Sequence, residues 1–527
     1  MRQEPTSPEP LAAAAAPPDP DAPRPLAVPQ ARPIRTDFDL LVIGGGVNGA
    51  GIARDAQGRG LSTCLVERGD LAGATSSNSS KLVHGGLRYL EQYEFRLVRE
   101  ALAEREVLLR IAPHIVWPMR FVLPHRPEMR PRWMIRAGLF LYDHLARRVS
   151  LPGSESLRTA THRYGQPLSD AITDAFAYSD CWVEDSRLVV LNVRDAAARG
   201  AEILVRTSFV GAERGAECWT CRLVAEDGTA RIVTARALVN AAGPWVIQAQ
   251  DAARARARDR VRLVRGSHIV VPALYEGDQA YILQNDDRRV VFVIPYEGRF
   301  SLIGTTDVPH EGDARDAHCT AEEAAYLCAA VGRQFRRAPT PDEIVWSYSG
   351  VRPLHDDGAD NPSAVTRDYV LKTDAAAGQA PVLSIYGGKI TTYRRLAEDA
   401  VGAIGAAIGH AGTPWTATAA LPGGEFGGRD LPGFEAEMAA RHPWLPPATL
   451  RRMVRAYGSD LDALLDGASG PNAMGEAYGA GFTERELDWL LRHEWARTAA
   501  DVLWRRSKLG LHMPAEGQER LARRLGG

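Results

Sequence analysis

Apolar positions come in short blocks near the start of the chain. Leu40 to Ile43 is an all-apolar run, the pattern of a strand buried on both faces. Leu61 to Val66 reads as a second strand, and Ala50 to Arg59 between them has helical character. Strand, helix and strand in about 30 residues predict a βαβ unit. Further on, Arg96 to Arg110 and Leu188 to Arg199 read as helices. Ile203 to Val210, Thr220 to Ala225 and Arg231 to Val239 read as strands. From 261 to 308 the pattern is strand-rich (LVRGSHIVV, YILQ, RRVVFVIPY, FSLIGTTDV), which predicts an antiparallel sheet suited to form a wall over a ligand. A helix is expected over Ala321 to Phe335. Leu383 to Ile385 is another buried strand that leads into a helix reaching about Ile408. Beyond the break at Leu421-Pro422-Gly423-Gly424 only helices are expected.

The turn between the first strand and its helix carries Gly44, Gly46 and Gly49 at G-x-G-x-x-G spacing. The first glycine permits the tight turn, the second lets backbone approach a pyrophosphate, and the third lets helix and sheet pack closely. The helix opens at that turn, so its N-terminal N–H groups and dipole favour phosphate. The second strand ends at Glu67, placed to accept a ribose hydroxyl; an acid there disfavours a 2′-phosphate ligand such as NADP. These features in this order predict dinucleotide binding.

The loop that follows, GDLAGATSSNSSKLVHGG, is dense in small hydroxyl residues. Thr75, Ser76, Ser77, Ser79 and Ser80 can donate hydrogen bonds beside a pyrophosphate, and Lys81 and His84 add polar reach. Val239-Asn240-Ala241-Ala242-Gly243-Pro244-Trp245 is a strand running into a small-residue turn, a second close approach to the nucleotide at Ala242 and Gly243. Gly387-Gly388-Lys389-Ile390-Thr391-Thr392-Tyr393 is a second glycine turn at a helix N-terminus, and so a second place where negative charge is stabilised. Ser349-Gly350-Val351-Arg352-Pro353 and Thr366-Arg367-Asp368 set two arginines in turns. Arg130 to Arg148 has an apolar centre between arginines. Trp133, Ile135, Leu139, Phe140 and Tyr142 could lie in a bilayer interface, or the helix could pack on the body of the protein.

Composition narrows this little. The chain has 527 residues, too many for one compact core, and a net charge of −2 that suggests no nucleic-acid partner. No apolar run reaches the roughly 18 residues of a membrane span. The basic residues are almost all arginine; the lysines are Lys81, Lys372, Lys389 and Lys508. The six cysteines are scattered, which argues against a disulfide framework. Cys218 and Cys221 match C-x-x-C but lie in a strand pattern, where residues three apart point to opposite faces. No metal site is expected. Residues 1–36 are rich in Ala and Pro and read as a disordered tail, too acidic for a transit peptide and without the apolar core of a secretory signal.

As a set, IGGGVNGAGIARDAQGRGL, ATSSNSSKLVHGGLRYLE, YSDCWVEDSRLV, VNAAGPW, GSHIVVP, IGTTDV, SGVRPL, TRDY, YGGKITTYR and HEWA resemble the aerobic, FAD-dependent glycerol-3-phosphate dehydrogenases of bacteria, within the wider family of oxidoreductases similar to D-amino-acid oxidase. The resemblance implies an α/β FAD-binding Rossmann-like domain over 37–422 with an antiparallel substrate sheet inserted at about 261–348, and a C-terminal all-α domain over 423–527. It implies oxidation of sn-glycerol 3-phosphate to dihydroxyacetone phosphate, with a hydride leaving C2 for flavin N5 and electrons passing to a membrane quinone. It further implies a cytoplasmic protein at the inner face of the membrane; oligomeric state stays open, a homodimer included. Arg88, Arg352, Arg367 and Lys389 are the cations available for the phosphate, and Tyr89 can add a hydroxyl. His268 titrates near neutral pH and is the candidate base. Arg352 is cast as stabilising the developing alkoxide, and Lys389 with its helix start as stabilising charge on reduced flavin. The expected rivals are a soluble glycerophosphate oxidase using oxygen, an amine or amino-acid oxidase, a flavin-binding regulator without turnover, and an NAD enzyme.

Overall fold

A computed structural model describes residues 35–146, 149–255, 260–287, 289–356, 368–410 and 412–526, with the side chains of Arg88 and Gln92 outside that set. Most of the tail expected over 1–36, and Arg367, lie outside the described residues.

The first strand, Asp37–Ile43, sits inside an eight-stranded sheet. Thr63–Glu67 and Ala230–Asn240 flank it in parallel, Val382–Tyr386 runs parallel beyond the latter, and Glu202–Val205 lies at one edge. Its period of two explains its all-apolar sequence. Leu40 and Val42 pack under the helices Val47–Gly58 and Tyr393–Ala407, against Ile52, Ala56, Leu396 and Ala397. Leu41 and Ile43 face the other way, into Trp219, Cys221 and Leu223 of an antiparallel pair that rides on this sheet. Cys221 is therefore a core residue, and all six cysteines are free thiols. The expected strand over Ile203 to Val210 is two strands, Glu202–Val205 and Thr207–Arg214, divided at Arg206, where φ is +53°.

The second sheet has ten strands and is larger than the 261–348 insertion read from sequence. Val116–His125 and Asp174–Val183 pair antiparallel within it, and Tyr281 joins them to the later strands through a parallel bridge to Val122. Asp174–Val183 escapes pattern reading because it is buried along its whole length yet carries Ser179 and Asp180. Asp180 is tolerated there because Arg105 and the Tyr142 hydroxyl both donate to it. The strand Arg260–Pro272 pairs with Trp346–Asp356 on one side and Phe300–Gly304 on the other.

The helix Arg132–His144 shows both faces of the sequence expectation. Leu139 and Tyr142 are buried, and Ile135 packs on the same core. Trp133 and Phe140 project outward, 69% and 58% exposed, beside the half-exposed Arg130 and Arg132. Among the described residues no helix is long and apolar enough to cross a membrane.

The C-terminal region is a helical body packed on Phe434, Met438, Met453, Leu487 and Leu490. It is not purely helical: Ala477–Gly479 and Phe482–Thr483 form a small two-stranded ribbon. Ion pairs tie it to the first domain, among them the buried Arg187 with Glu494 and the partly buried Arg194 with Asp460.

Candidate active site

The glycine turn has the shape its spacing demands. Gly44 has φ +112°, and a Cβ there would lie 2.5 Å from the Ala241 carbonyl oxygen. A Cβ on Gly49 would lie 1.9 Å from the Gly44 carbonyl oxygen, so the helix can approach only without one. Gly46 is the helix N-cap, and Ser76 Oγ accepts from the Val47 N–H at 2.9 Å. Glu67 accepts from the N–H groups of Gly45 and Gly69, both at 2.7 Å, so its carboxylate closes the turn at the strand end. Burial raises its pKa above the ordinary value, against the pull of those two N–H groups. A cradle that any Cβ would fill, a helix N-terminus and a carboxylate at the second strand end fit the pyrophosphate and ribose of FAD.

Next to this turn, Asn48 Nδ2 donates to the Gly387 carbonyl at 3.1 Å, which brings the second glycine turn onto the first helix. Gly387 and Gly388 have φ of +74° and +99°. Lys389 lies over the Tyr89 ring, 4.2 Å from its centroid. Thr391 and His84 face each other, Thr391 Oγ1 lying 3.3 Å from the His84 backbone N–H. The pKa of His84 is lowered by burial, with Asp180 opposing and the Lys389 charge adding to the depression.

The hydroxyl loop connects both sheets. Thr75 Oγ1 donates to the Val351 carbonyl at 2.6 Å, beside Arg352. Ser80 Oγ lies 2.8 Å from His268 Nε2. Ser77 Oγ turns back to the Ala74 carbonyl at 3.4 Å. Lys81 does not reach outward: its ammonium is buried, donates to Asp185 at 2.8 Å and to the Ser77 carbonyl at 3.0 Å, and so fixes the loop. Ala242 and Gly243 enter a short turn, with Arg68 stacked on the neighbouring Trp245 at 3.9 Å.

His268 is 3% exposed and stacks on Tyr348, centroids 4.8 Å apart. Its Nδ1 is buried without a hydrogen-bond partner. Burial depresses its pKa well below the ordinary histidine value, and the charges of Lys81 and Arg352 add to that, so the ring is neutral at physiological pH. Arg352 lies on the adjacent strand, donates to Asp307 at 2.5 Å and to Thr305 Oγ1 at 3.2 Å, and lies over Gly266, where a Cβ would come 2.3 Å from its Nη2. A Cβ on Gly387 would lie 3.8 Å from the Pro353 carbonyl, so the second glycine turn and the Arg352 strand adjoin.

The sequence-predicted residues thus gather from both sheets and the two glycine turns. Arg88's side chain and Arg367 lie outside the described residues. Among the partners that had not been singled out are Asn48, Asp185, Thr305, Asp307 and Tyr348. Asn48 sits inside the first glycine motif, and Asp185 and Asp307 sit in YSDCWVEDSRLV and IGTTDV, so their motifs were visible while their contacts were not.

Comparison with known proteins agrees with this arrangement. Residues 39–394 match the family model described as FAD dependent oxidoreductase, and 414–524 match the C-terminal domain of alpha-glycerophosphate oxidase. The chain is 52% identical over 494 residues to a glycerol-3-phosphate dehydrogenase of Pseudomonas aeruginosa, covering 94% of this chain and 96% of that one. It is 50% identical to a D-erythritol 1-phosphate dehydrogenase of Brucella abortus, covering 90% and 95%. Among solved structures, the glycerol-3-phosphate dehydrogenase of Bacillus halodurans complexed with FAD superposes with a TM-score of 0.71 at 26% identity, covering 93% of this chain and 94% of that one.

Proposed function

The chain belongs to the family of FAD-dependent oxidoreductases, and from that premise we propose that it oxidises sn-glycerol 3-phosphate to dihydroxyacetone phosphate and delivers the electrons to a quinone at the membrane. The observation that carries this reading is a buried neutral imidazole, His268, next to a guanidinium, Arg352, beside the dinucleotide cradle.

Bound FAD supplies the two-electron acceptor for the hydrogen on C2. His268 accepts the proton of the C2 hydroxyl; a neutral imidazole has one ring nitrogen able to accept, whereas an arginine stays protonated. Arg352 stabilises the oxygen as its charge develops, and Asp307 and Thr305 orient the guanidinium for that task. Lys389 and Tyr89, which stack on each other, bind the phosphate. The helix that follows the Gly387–Gly388 turn begins at Tyr393, with Thr392 as its N-cap, so Lys389 lies in the turn ahead of it; that turn would stabilise negative charge on FAD when it is bound.

The outward face of Arg132–His144, with Trp133, Met134, Phe140 and Leu141, docks on the bilayer surface. This gives a peripheral protein at the inner face of the cytoplasmic membrane, close to its quinone.

The test is anaerobic. Glycerol 3-phosphate added to the holoprotein bleaches the flavin band, and a quinone analogue restores it quickly. Rapid recovery with oxygen and peroxide instead would make the protein an oxidase. Bleaching by D-erythritol 1-phosphate but not by glycerol 3-phosphate would overturn the substrate, and no bleaching by either would overturn the reaction.

A further inference from the structure

The loop that closes the ribose end of the dinucleotide cradle is gripped by the C-terminal domain. Asp70 is buried, three residues beyond Glu67. Arg506 makes a two-pronged contact with it, Nη1 to Oδ2 at 2.8 Å and Nη2 to Oδ1 at 2.7 Å, and Arg505 Nε adds a third contact at 2.5 Å. The Arg506 side chain is fully buried, and it also donates to the Glu494 carbonyl, from Nε at 2.9 Å and Nη2 at 2.6 Å.

Two consecutive arginines reach one carboxylate because the segment Asp501–Arg506 is a π-helical turn, closed by the Ser507 N–H on the Val502 carbonyl at 3.0 Å. In an α-helix successive side chains diverge by about 100°; the wider turn narrows that divergence, and the long arginine side chains converge on Asp70 across the rest. Asp501, at the start of the turn, accepts from Arg505 and from Arg206 of the first domain.

On the other side of Asp70 the contacts continue into the cradle. Gly69 donates to Glu67 at 2.7 Å and Ala72 donates to the Gly45 carbonyl at 3.0 Å. The Gly69 carbonyl accepts from the Arg206 N–H at 3.0 Å. The Gly69 and Ala72 hydrogen bonds that shape the Glu67–Ala72 loop therefore lie within two residues of the carboxylate that the π turn grips.

We propose that Asp70, held by Arg505 and Arg506, is a positioning residue for the cofactor, and that through it the C-terminal domain sets the affinity of the FAD site. This rests on the reading of the cradle as an FAD site. Binding of FAD and docking of the π turn both require the same loop conformation, so each stabilises the other, as linkage demands.

The experiment titrates FAD into apoprotein carrying Asp70→Asn, with Asp460→Asn as the control. Asp460 pairs with Arg194 across the same domain boundary but touches no part of the loop. The expected result is a rise of roughly tenfold or more in the FAD dissociation constant for Asp70→Asn, with the KM for glycerol phosphate of FAD-saturated enzyme unchanged. Asp460→Asn lowers the melting temperature and leaves FAD affinity as it was. Equal FAD affinity in the two variants would overturn the clamp. If Asp70→Asn does not fold, amide exchange on the wild type decides: FAD protects 501–507 more than 431–457 of the same domain, and equal protection of both overturns the clamp. A wild type that binds no FAD would remove the cofactor reading first, and the clamp with it.

Discussion

His268 is where burial does chemical work. A ring kept neutral by its surroundings stays a base below the pH at which free histidine protonates. The acid limb of the kcat/KM profile is therefore expected below the ordinary histidine pKa of 6.5, and a limb above it would count against His268 as the base. His268→Asn should lower kcat by about 10²–10⁴-fold, the range for a general base, with flavin content unchanged; steady-state kinetics on FAD-saturated protein checks both. Lys389→Met removes one charge-assisted contact, in general about 1.5–3 kcal/mol, so KM for glycerol phosphate should rise roughly ten- to a hundredfold while the flavin stays bound. At Gly44 the backbone is left-handed and faces a carbonyl, so Gly44→Ala should yield protein purified without FAD, read from its visible spectrum.

Elements place these residues. The helix Arg132–His144 divides its side chains between a buried stripe at Leu139 and Tyr142 and an outward pair at Trp133 and Phe140. Burying a large apolar side chain is worth about 1.5–3 kcal/mol. The double substitution Trp133→Ser with Phe140→Ser should thus reduce co-sedimentation with anionic vesicles at least tenfold, while activity with a soluble dye acceptor is retained. Unchanged sedimentation would exclude this face as the membrane contact. Much of the element level was legible in advance: the βαβ unit follows from a run of four apolar residues, three glycines and an acid. The strand Asp174–Val183 could not be assigned to the second sheet in the same way, because its polar residues are acceptable only once Arg105 and Tyr142 are beside them.

The whole molecule is locked by buried charge. Glu494 is buried among Arg187, Arg194 and Arg506; burial opposes its ionisation, and the arginines outweigh burial and hold its pKa low. Removing one partner of such a pair leaves an uncompensated buried charge, in general about 3–5 kcal/mol. Glu494→Gln is therefore expected to lower the melting temperature sharply, and calorimetry of the wild type to show both domains unfolding in one transition. His114 and His268 are both buried with lowered pKa, His114 to about 3, chiefly through burial. Between pH 6.5 and about 3 the unfolded chain binds protons at these sites that the folded chain does not, so stability falls as pH drops through that window. Glu494 adds its own loss as pH falls below its ordinary 4.5 through its lowered folded pKa. Denaturant midpoints that do not move between pH 7 and 5 would contradict the histidine contribution.

What this sequence determined by itself is the local chemistry: glycine spacing, strand runs, the acid at Glu67, and the motifs that carry His268, Arg352 and Lys389. These are legible because turn geometry and strand periodicity are short-range properties of the backbone. Only the tertiary structure decided which charges meet. Lys81 is paired with Asp185 across 104 positions, and Asp70 with Arg506 across 436. A charged side chain reads the same in sequence whether it faces water, a ligand or a buried counter-charge. Its role is set by desolvation and by the partner the fold delivers, and both exist only once distant segments have packed together.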